Sequence, residues 1–173
     1  MNLLKTMCAI FTLIEAEEEW KKWKRLGDPI LHIKLRDWAD LALLAPLSAH
    51  TLSKISNGLC DDPLSSCLRA WDLGHGTRKG KPILLAPAMN TAMWDHPLTK
   101  LQLATIQSFW NSKGHFYSAD HSCGIQIIPP QEKTLACGEV GDGALASVDT
   151  IIEWVKKTLN IFYENESQEQ IFF

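Results

Sequence analysis

Two stretches combine small residues with hydrogen-bonding side chains densely enough to recognise a ligand. One runs Ala45-Pro46-Leu47-Ser48-Ala49-His50-Thr51 and the other Ala86-Pro87-Ala88-Met89-Asn90-Thr91. Each follows a short apolar run, where a buried strand would hand over to a helix. A helix start offers unpaired N–H groups to an anion or a polar ring edge. A plainer reading stands beside this one: Ser48, Thr51 and Asn90 are preferred caps and need do nothing more. A third stretch carries Cys137, with Gly138 beside it and Gly141 and Gly143 behind. Glycines so placed suit a movable lid, although a lone cysteine otherwise reads as a small buried hydrophobe. His32 belongs to a residue type that can move a proton near neutral pH; taken alone it is an ordinary helix-start histidine.

These side chains need elements to hold them. The 173 residues are 46% hydrophobic, which suits one packed domain over residues 1–160, with 161–173 expected to be a disordered tail that frays from about residue 164. The net charge of −3 comes without a basic block, which argues against nucleic acid or anionic lipid as a partner. No apolar run approaches the ~20 residues that cross a membrane. Five cysteines with no Cys-x-x-Cys pair predict neither a disulfide framework nor a zinc site, and fit reduced thiols in a cytoplasmic protein. His115 and His121 are close enough in sequence to suggest a metal, but solvated loop histidines explain them as well.

Apolar runs at 7–14, 41–46, 82–86 and 125–128 read as buried strands. Between them, 32–40, 51–57, 63–71 and 97–110 read as helices, the third opened by Asp62 as N-cap and Pro63 as first helical residue. A helix before Gly27 is predicted from Glu17–Lys21 and Glu18–Lys22 pairs, and Gly27 is its stop. A last helix from about Asp149 places Ile151, Ile152, Val155 and Leu159 on one face. This alternation predicts an α/β fold with a mostly parallel sheet and a ligand at the carboxyl ends of its strands.

The run 86–94, Ala-Pro-Ala-Met-Asn-Thr-Ala-Met-Trp, resembles the Pro-Ala-Met-Asn signature of the flavin-containing cysteine decarboxylases. Residues 31–40 are similar to that family's active-site histidine segment. Ala136-Cys137-Gly138-Glu139, with the Gly141–Ala144 run behind it, is similar to its cysteine-bearing substrate flap. Among its branches the likeness is to the phosphopantothenoylcysteine decarboxylases and the plant halotolerance-type flavoproteins, and it extends over residues 17–159. The resemblance implies a Rossmann-like three-layer flavoprotein fold. It also implies FMN as cofactor, 4′-phosphopantothenoylcysteine as small-molecule substrate, and a homotrimer with sites between subunits. The implied reaction removes a hydride to give a thioaldehyde, lets carbon dioxide leave as an enethiol forms, then returns the hydride with a proton. The product is 4′-phosphopantetheine, a step in coenzyme A biosynthesis.

Roles carry over by position. His32 matches the histidine that handles a proton or orients the reacting group, and Cys137 the flap cysteine that donates a proton to the enethiol. Asn90 matches the asparagine that holds the substrate carboxylate, and Ala136 and Leu145 match flap positions lining the substrate. Thr134 stands where many plant relatives carry a basic residue that contacts it. Ser48, Ala49, His50, Thr51 and Ala88 fall where relatives hold FMN. His50 replaces an asparagine, Glu139 an aspartate and Leu145 a methionine. The family's opening βαβ unit, whose Gly-Ser loop cradles the flavin phosphate, has no counterpart here. Stretches 73–80 and 110–122 look inserted. The implied alternative to an enzyme is a regulatory subunit that binds a protein phosphatase, or an inactive truncated paralogue.

Overall fold

The computed structural model of the chain describes residues 13–15, 17, 23–75, 80–110, 124–134 and 140–169, the backbone alone at 133, 134, 140 and 161–169. Helix α1 (Leu31–Trp38) leads into strand β1 (Ala42–Leu47), followed by α2 (Ala49–Ser56) and α3 (Pro63–Arg69). Strand β2 (Ile83–Pro87) precedes two helices, α4 (Thr91–Asp95) and α5 (Pro97–Ser108). Strands β3 (Ile125–Ile127), β4 (Gln131–Thr134) and β5 (Val140–Ala144) come next, and α6 (Val148–Glu169) ends the fold.

Strands β1, β2 and β3 form a parallel sheet in that order, in register at Leu44, Leu85 and Ile127. Every residue of the central strand β2 is buried, as its unbroken apolar run requires. Its side chains alternate between two cores. Ile83 and Leu85 join Leu44, Leu47, Leu52, Trp71, Leu103 and Ile106 beneath α2 and α5. Leu84 and Ala86 join Ile128, Ala146 and Ile151 beneath α6. The result is the three-layer arrangement implied by the resemblance. Pro46 offers no N–H to the ladder, and pairing is interrupted between Leu44 and Leu47 before resuming at Leu47 and Pro87.

Several expectations are revised. On α6 the buried positions are Ile151 and Thr158, with Trp154 and Val155 half-buried between them, whereas Ile152 is exposed. The face follows the 3.6-residue period through Thr158, whose hydroxyl accepts from Gln126 Nε2 at 3.4 Å, rather than the apolar letters alone. The helical backbone continues to Glu169, beyond the start of the predicted tail. Residues 131–144 contain an antiparallel hairpin, β4 with β5, where only a glycine-bearing loop is expected; Gln131-Glu132-Lys133-Thr134 lacks the apolar alternation that signals a strand. Gly27 is left-handed at φ 98°, but residues 23–26 before it are coil, bend and turn, so it serves a turn closed by Asp28 and stops no helix there. The predicted first strand (7–14, but for residues 13 and 14) and the Glu17–Lys21 and Glu18–Lys22 pairs lie outside the described residues.

The connection from α2 to α3 is fastened by charge. Lys54 Nζ lies 2.5 Å from Asp61 Oδ1 and 2.6 Å from Asp62 Oδ2. Asp62 also caps α3 in a reciprocal capping box with Ser65. The hydrogen bond to Asp61, then that to Asp62, raises the Lys54 ammonium above its ordinary 10.5. The Lys54 hydrogen bond holds Asp61 below 3.8. For Asp62 burial pushes upward most strongly, but Lys54 and the N–H and hydroxyl of Ser65 together outweigh it, leaving a net lowering. Carboxylates lowered by folding stabilise above their unfolded value and lose that contribution as pH falls through the folded one. The raised ammonium stabilises below 10.5 and loses its contribution as pH climbs past its folded value. A thermal melt series is therefore expected to weaken below about pH 4 and above about pH 10.5. Asp62→Ala should cost about 1–2 kcal/mol at neutral pH and shrink the acid-side change.

The described ends of the two inserted-looking stretches meet. The ring of Trp110 rests against Gly80 and Gly124, where a Cβ on either glycine would press into it. Beside it, His75 Nε2 lies 2.8 Å from the Phe109 carbonyl.

Candidate functional site

The carboxyl ends of β1 and β2 lie side by side, joined where Ala88 N–H donates to the Leu47 carbonyl at 2.9 Å. Each turns directly into a capped helix. Ser48 caps α2, its Oγ accepting from Thr51 N–H at 3.1 Å and lying 3.1 Å from Thr51 Oγ1. Asn90 caps α4, its Oδ1 accepting from Met93 N–H at 2.8 Å. The capping reading is thus right for Ser48 and Asn90, and Thr51 is the capped residue rather than a cap. Capping does not exhaust Asn90, however. A backbone N–H needs an acceptor, so Oδ1 must face the helix and the two Nδ2 hydrogens are turned the other way, on an exposed residue.

The β4–β5 hairpin docks onto this same loop. Met89 N–H donates to the Gly143 carbonyl at 2.9 Å. A Cβ at residue 143 would collide with the Met89 carbonyl oxygen, and one at 141 with Thr91 Oγ1. Glycine is required at both places by close approach rather than by unusual dihedral angles. Thr91 Oγ1 is buried beneath the hairpin with no hydrogen-bond partner among the described residues. Sequence reasoning assigned nothing to Met89 or Thr91; a Gly-x-Gly spacing two strands away from a Met-Asn-Thr loop was the only available signal.

The other candidates fall into three groups. Ala49 and Ala88 are half-buried beside Ser48 and Thr51 at the strand ends, and His50 is exposed on the first turn of α2. Leu145 packs against the Leu84–Ile128 core, and its carbonyl accepts from Gln131 Nε2 at 2.7 Å. Thr134 pairs with Val140 at the end of β4. Ala136 and Cys137, like His115 and His121, lie outside the described residues. His32 is half-buried on the first turn of α1, which packs against α3. Three residues separate the end of α1 at Trp38 from the start of β1 at Ala42. Asn90 follows the central strand β2.

These residues fit a planar cofactor with polar edges. Ser48 Oγ donates to Thr51 Oγ1, which turns the Thr51 hydroxyl hydrogen outward; with the first N–H groups of α2, at Ala49 and His50, it forms a donor set, and Ala49 and Ala88 leave room beside it. Among the described residues no group of histidine, cysteine or carboxylate side chains could hold a metal ion, and no helix is long and apolar enough to cross a membrane.

The Flavoprotein family profile matches residues 2–160, nearly the whole chain. This chain belongs to the flavoprotein family. It is 46% identical over 153 residues to phosphopantothenoylcysteine decarboxylase HAL3b of Glycine max, covering 88% of this chain and 60% of that protein. Against the phosphopantothenoylcysteine decarboxylase of Mus musculus it is 46% identical over 149 residues, covering 86% of this chain and 63% of the relative. The chain thus spans about 60% of the length of the soybean relative. Among solved structures it resembles a cysteine-to-serine mutant of a PPC decarboxylase complexed with pantothenoylaminoethenethiol, with TM-score 0.69, 42% identity and coverage of 88% and 71%. It is also similar to the FMN-binding protein AtHal3, with TM-score 0.65, 42% identity and coverage of 88% and 70%. The Rossmann-like flavoprotein fold expected from the three motifs is therefore the observed one.

Proposed function

We propose that this flavoprotein chain carries the active centre of an FMN-dependent decarboxylase that converts 4′-phosphopantothenoylcysteine to 4′-phosphopantetheine and carbon dioxide. The carrying observation is the docking of three pieces at one place: the Ser48 and Asn90 caps at adjacent strand ends, and the hairpin fixed on Met89. FMN, held by Ser48, Ala49, His50, Thr51 and Ala88, supplies the reversible two-electron oxidation that lets a carboxylate leave a saturated carbon. The protein's own work is positioning and protonation. Asn90 turns its Nδ2 donors to the substrate carboxylate without adding a charge that would hold carbon dioxide back. Its cap fixes that direction before substrate arrives, so little ordering is needed on binding. Gly141 and Gly143 hold the hairpin over the loop, and the reading assigns Thr134, Ala136 and Cys137 to the substrate from their places in the motif. Cys137 supplies the proton and His32 manages another or orients the substrate.

From the family likeness, the reading assigns His32 to the Asn90 site of a neighbouring copy in a cytoplasmic homotrimer. Exposed Trp38, Met93, Leu98 and Leu101 offer apolar surface for contact between copies. The deciding measurement is the absorbance of the purified protein with added FMN. Flavin absorbance that stays with the protein, and a melting temperature that rises with FMN, are expected. Ligand at 100 times its Kd stabilises by about 2.7 kcal/mol. A colourless protein whose melting temperature ignores FMN sinks the enzyme, and favours the regulatory subunit that binds a protein phosphatase.

A further inference from the structure

Helix α1 carries His32, yet none of its residues is fully buried. An amphipathic helix usually owes its position to a packed apolar face. This one packs its half-buried side chains against α3 and is further held by polar contacts at its C-terminal end. The last carbonyls of a helix have no partner within it. Here Lys81 Nζ donates to the Arg36 carbonyl at 2.8 Å, to the Asp37 carbonyl at 3.3 Å and to the Ala39 carbonyl at 2.8 Å. Those three bonds use every hydrogen the ammonium has, and they set a positive charge at the negative end of the helix dipole. Arg36 adds a second fastening, with Nη1 3.4 Å from the Ala70 carbonyl and Nε 4.0 Å from Asp72 Oδ2.

Lys81 is itself fixed. Its N–H donates to the Asp72 carbonyl at 2.8 Å, and its own carbonyl accepts from Trp71 Nε1 at 2.8 Å. Two residues later begins β2, whose far end carries Ala88, Met89 and Asn90. Lys81 therefore links, at the amino end of the sheet, the helix bearing His32 to the strand bearing the Asn90 loop.

We propose that Lys81 is a positioning residue that clamps the C-terminal end of α1 to the start of β2 and thereby fixes where His32 stands at the other end. The link to chemistry rests on the decarboxylase reading above; the clamp itself does not. An eight-residue helix is roughly 12 Å long, so a tilt of about 5° at the clamped end moves the first turn by about 1 Å. Displacement of that size in a catalytic arrangement costs on the order of 10²-fold in rate.

The test compares Lys81→Met and Lys81→Arg with the native full chain. In Lys81→Met, amide exchange in α1 should rise at least tenfold while β2 stays protected, and the imidazole NMR signals of His32 should shift while those of His50 and His96 stay put. In the flavin-loaded protein, kcat should fall by about 10–100-fold with KM and flavin occupancy unchanged within about twofold. Lys81→Arg keeps the charge, but its planar fork cannot meet three converging carbonyls, so it should restore part of each loss. Unchanged α1 exchange, or exchange rising equally in α1 and β2, overturns the clamp. So does an arginine variant no better than methionine, or a kcat loss matched by flavin loss. If Lys81→Met fails to fold, Lys81→Arg decides: loosening confined to α1 supports the clamp, and uniform loosening rejects it. If the native chain releases no carbon dioxide, the decarboxylase reading fails while exchange and the imidazole signals still judge Lys81.

Discussion

Asn90→Asp is expected to leave the fold standing and to cut kcat/KM for the cysteine-bearing substrate by roughly 10²–10³-fold. The two halves of the native amide do different jobs. Oδ1 accepts from Met93 N–H and caps α4, while Nδ2 offers donors on the exposed side. An aspartate keeps the first job, since a carboxylate is as good an N-cap as an amide and is favoured by the helix dipole. It destroys the second by replacing two donors with a negative charge facing a negative substrate. Losing a hydrogen bond to a charged group costs about 1.5–3 kcal/mol, and repulsion adds to that. Asn90→Ala should show the complementary pattern, with similar loss of turnover and a further ~1 kcal/mol of stability gone with the cap. Melting curves and steady-state kinetics on the two variants separate these contributions. Native turnover in Asn90→Asp would show that Nδ2 never touches the substrate.

Gly143→Ala is expected to be nearly as damaging to turnover, by another route. The new methyl group would meet the Met89 carbonyl oxygen, with the Met89 carbonyl carbon at 3.2 Å and the Asn90 carbonyl oxygen at 3.4 Å. All three are backbone atoms, so no side-chain rotation relieves the clash. The hairpin must lift, and the bond from Met89 N–H to the Gly143 carbonyl is lost with it. Overpacking of this kind costs about 1–3 kcal/mol, which lowers the melting temperature of a domain this size by roughly 2–12 °C. Decarboxylation should fall at least about 10²-fold, as expected when reacting groups are misplaced by an ångström or more. Flavin binding should persist, because Ser48 and Thr51 belong to α2 and not to the hairpin. Asp142→Ala is the control: exposed between the two glycines, it should change stability by no more than about 0.5 kcal/mol. Equal behaviour of the two variants would mean the hairpin does not depend on that close approach.

What the sequence revealed and what it concealed divide along physical lines. The three parallel strands were legible as unbroken apolar runs, but only β2 is buried on both faces; β1, expected to be a buried strand, leaves Leu43, Ala45 and Pro46 exposed. Asp62-Pro63 was legible because a cap and a fixed φ act within one turn. Strand β4 was not, since Gln131-Glu132-Lys133-Thr134 pairs through its backbone and carries no apolar signal. Thr158 was passed over for Ile152 because hydropathy outranks a hydroxyl whose partner, Gln126, is 32 residues away. Short α4 escaped notice for a related reason: His96 and Pro97 divide what reads as one helical start into two. At the site, Asn90 and Ser48 were legible by type and spacing. Lys81 was not, because its partners are carbonyl groups, which every residue has, up to 45 positions away.

Trp110 gives the two inserted-looking connections a shared fate. Its ring is seated between Gly80, at the end of one, and Gly124, just beyond the other, and His75 reaches the carbonyl next door. Their lengths are therefore not independent variables. Trimming either one alone would bare an indole or leave a glycine-lined notch, whereas removing both together discards the plug along with its socket. For anyone transplanting these connections onto a related scaffold, the transferable unit is the pair, and a chimera built with half of it inherits the defect without the benefit.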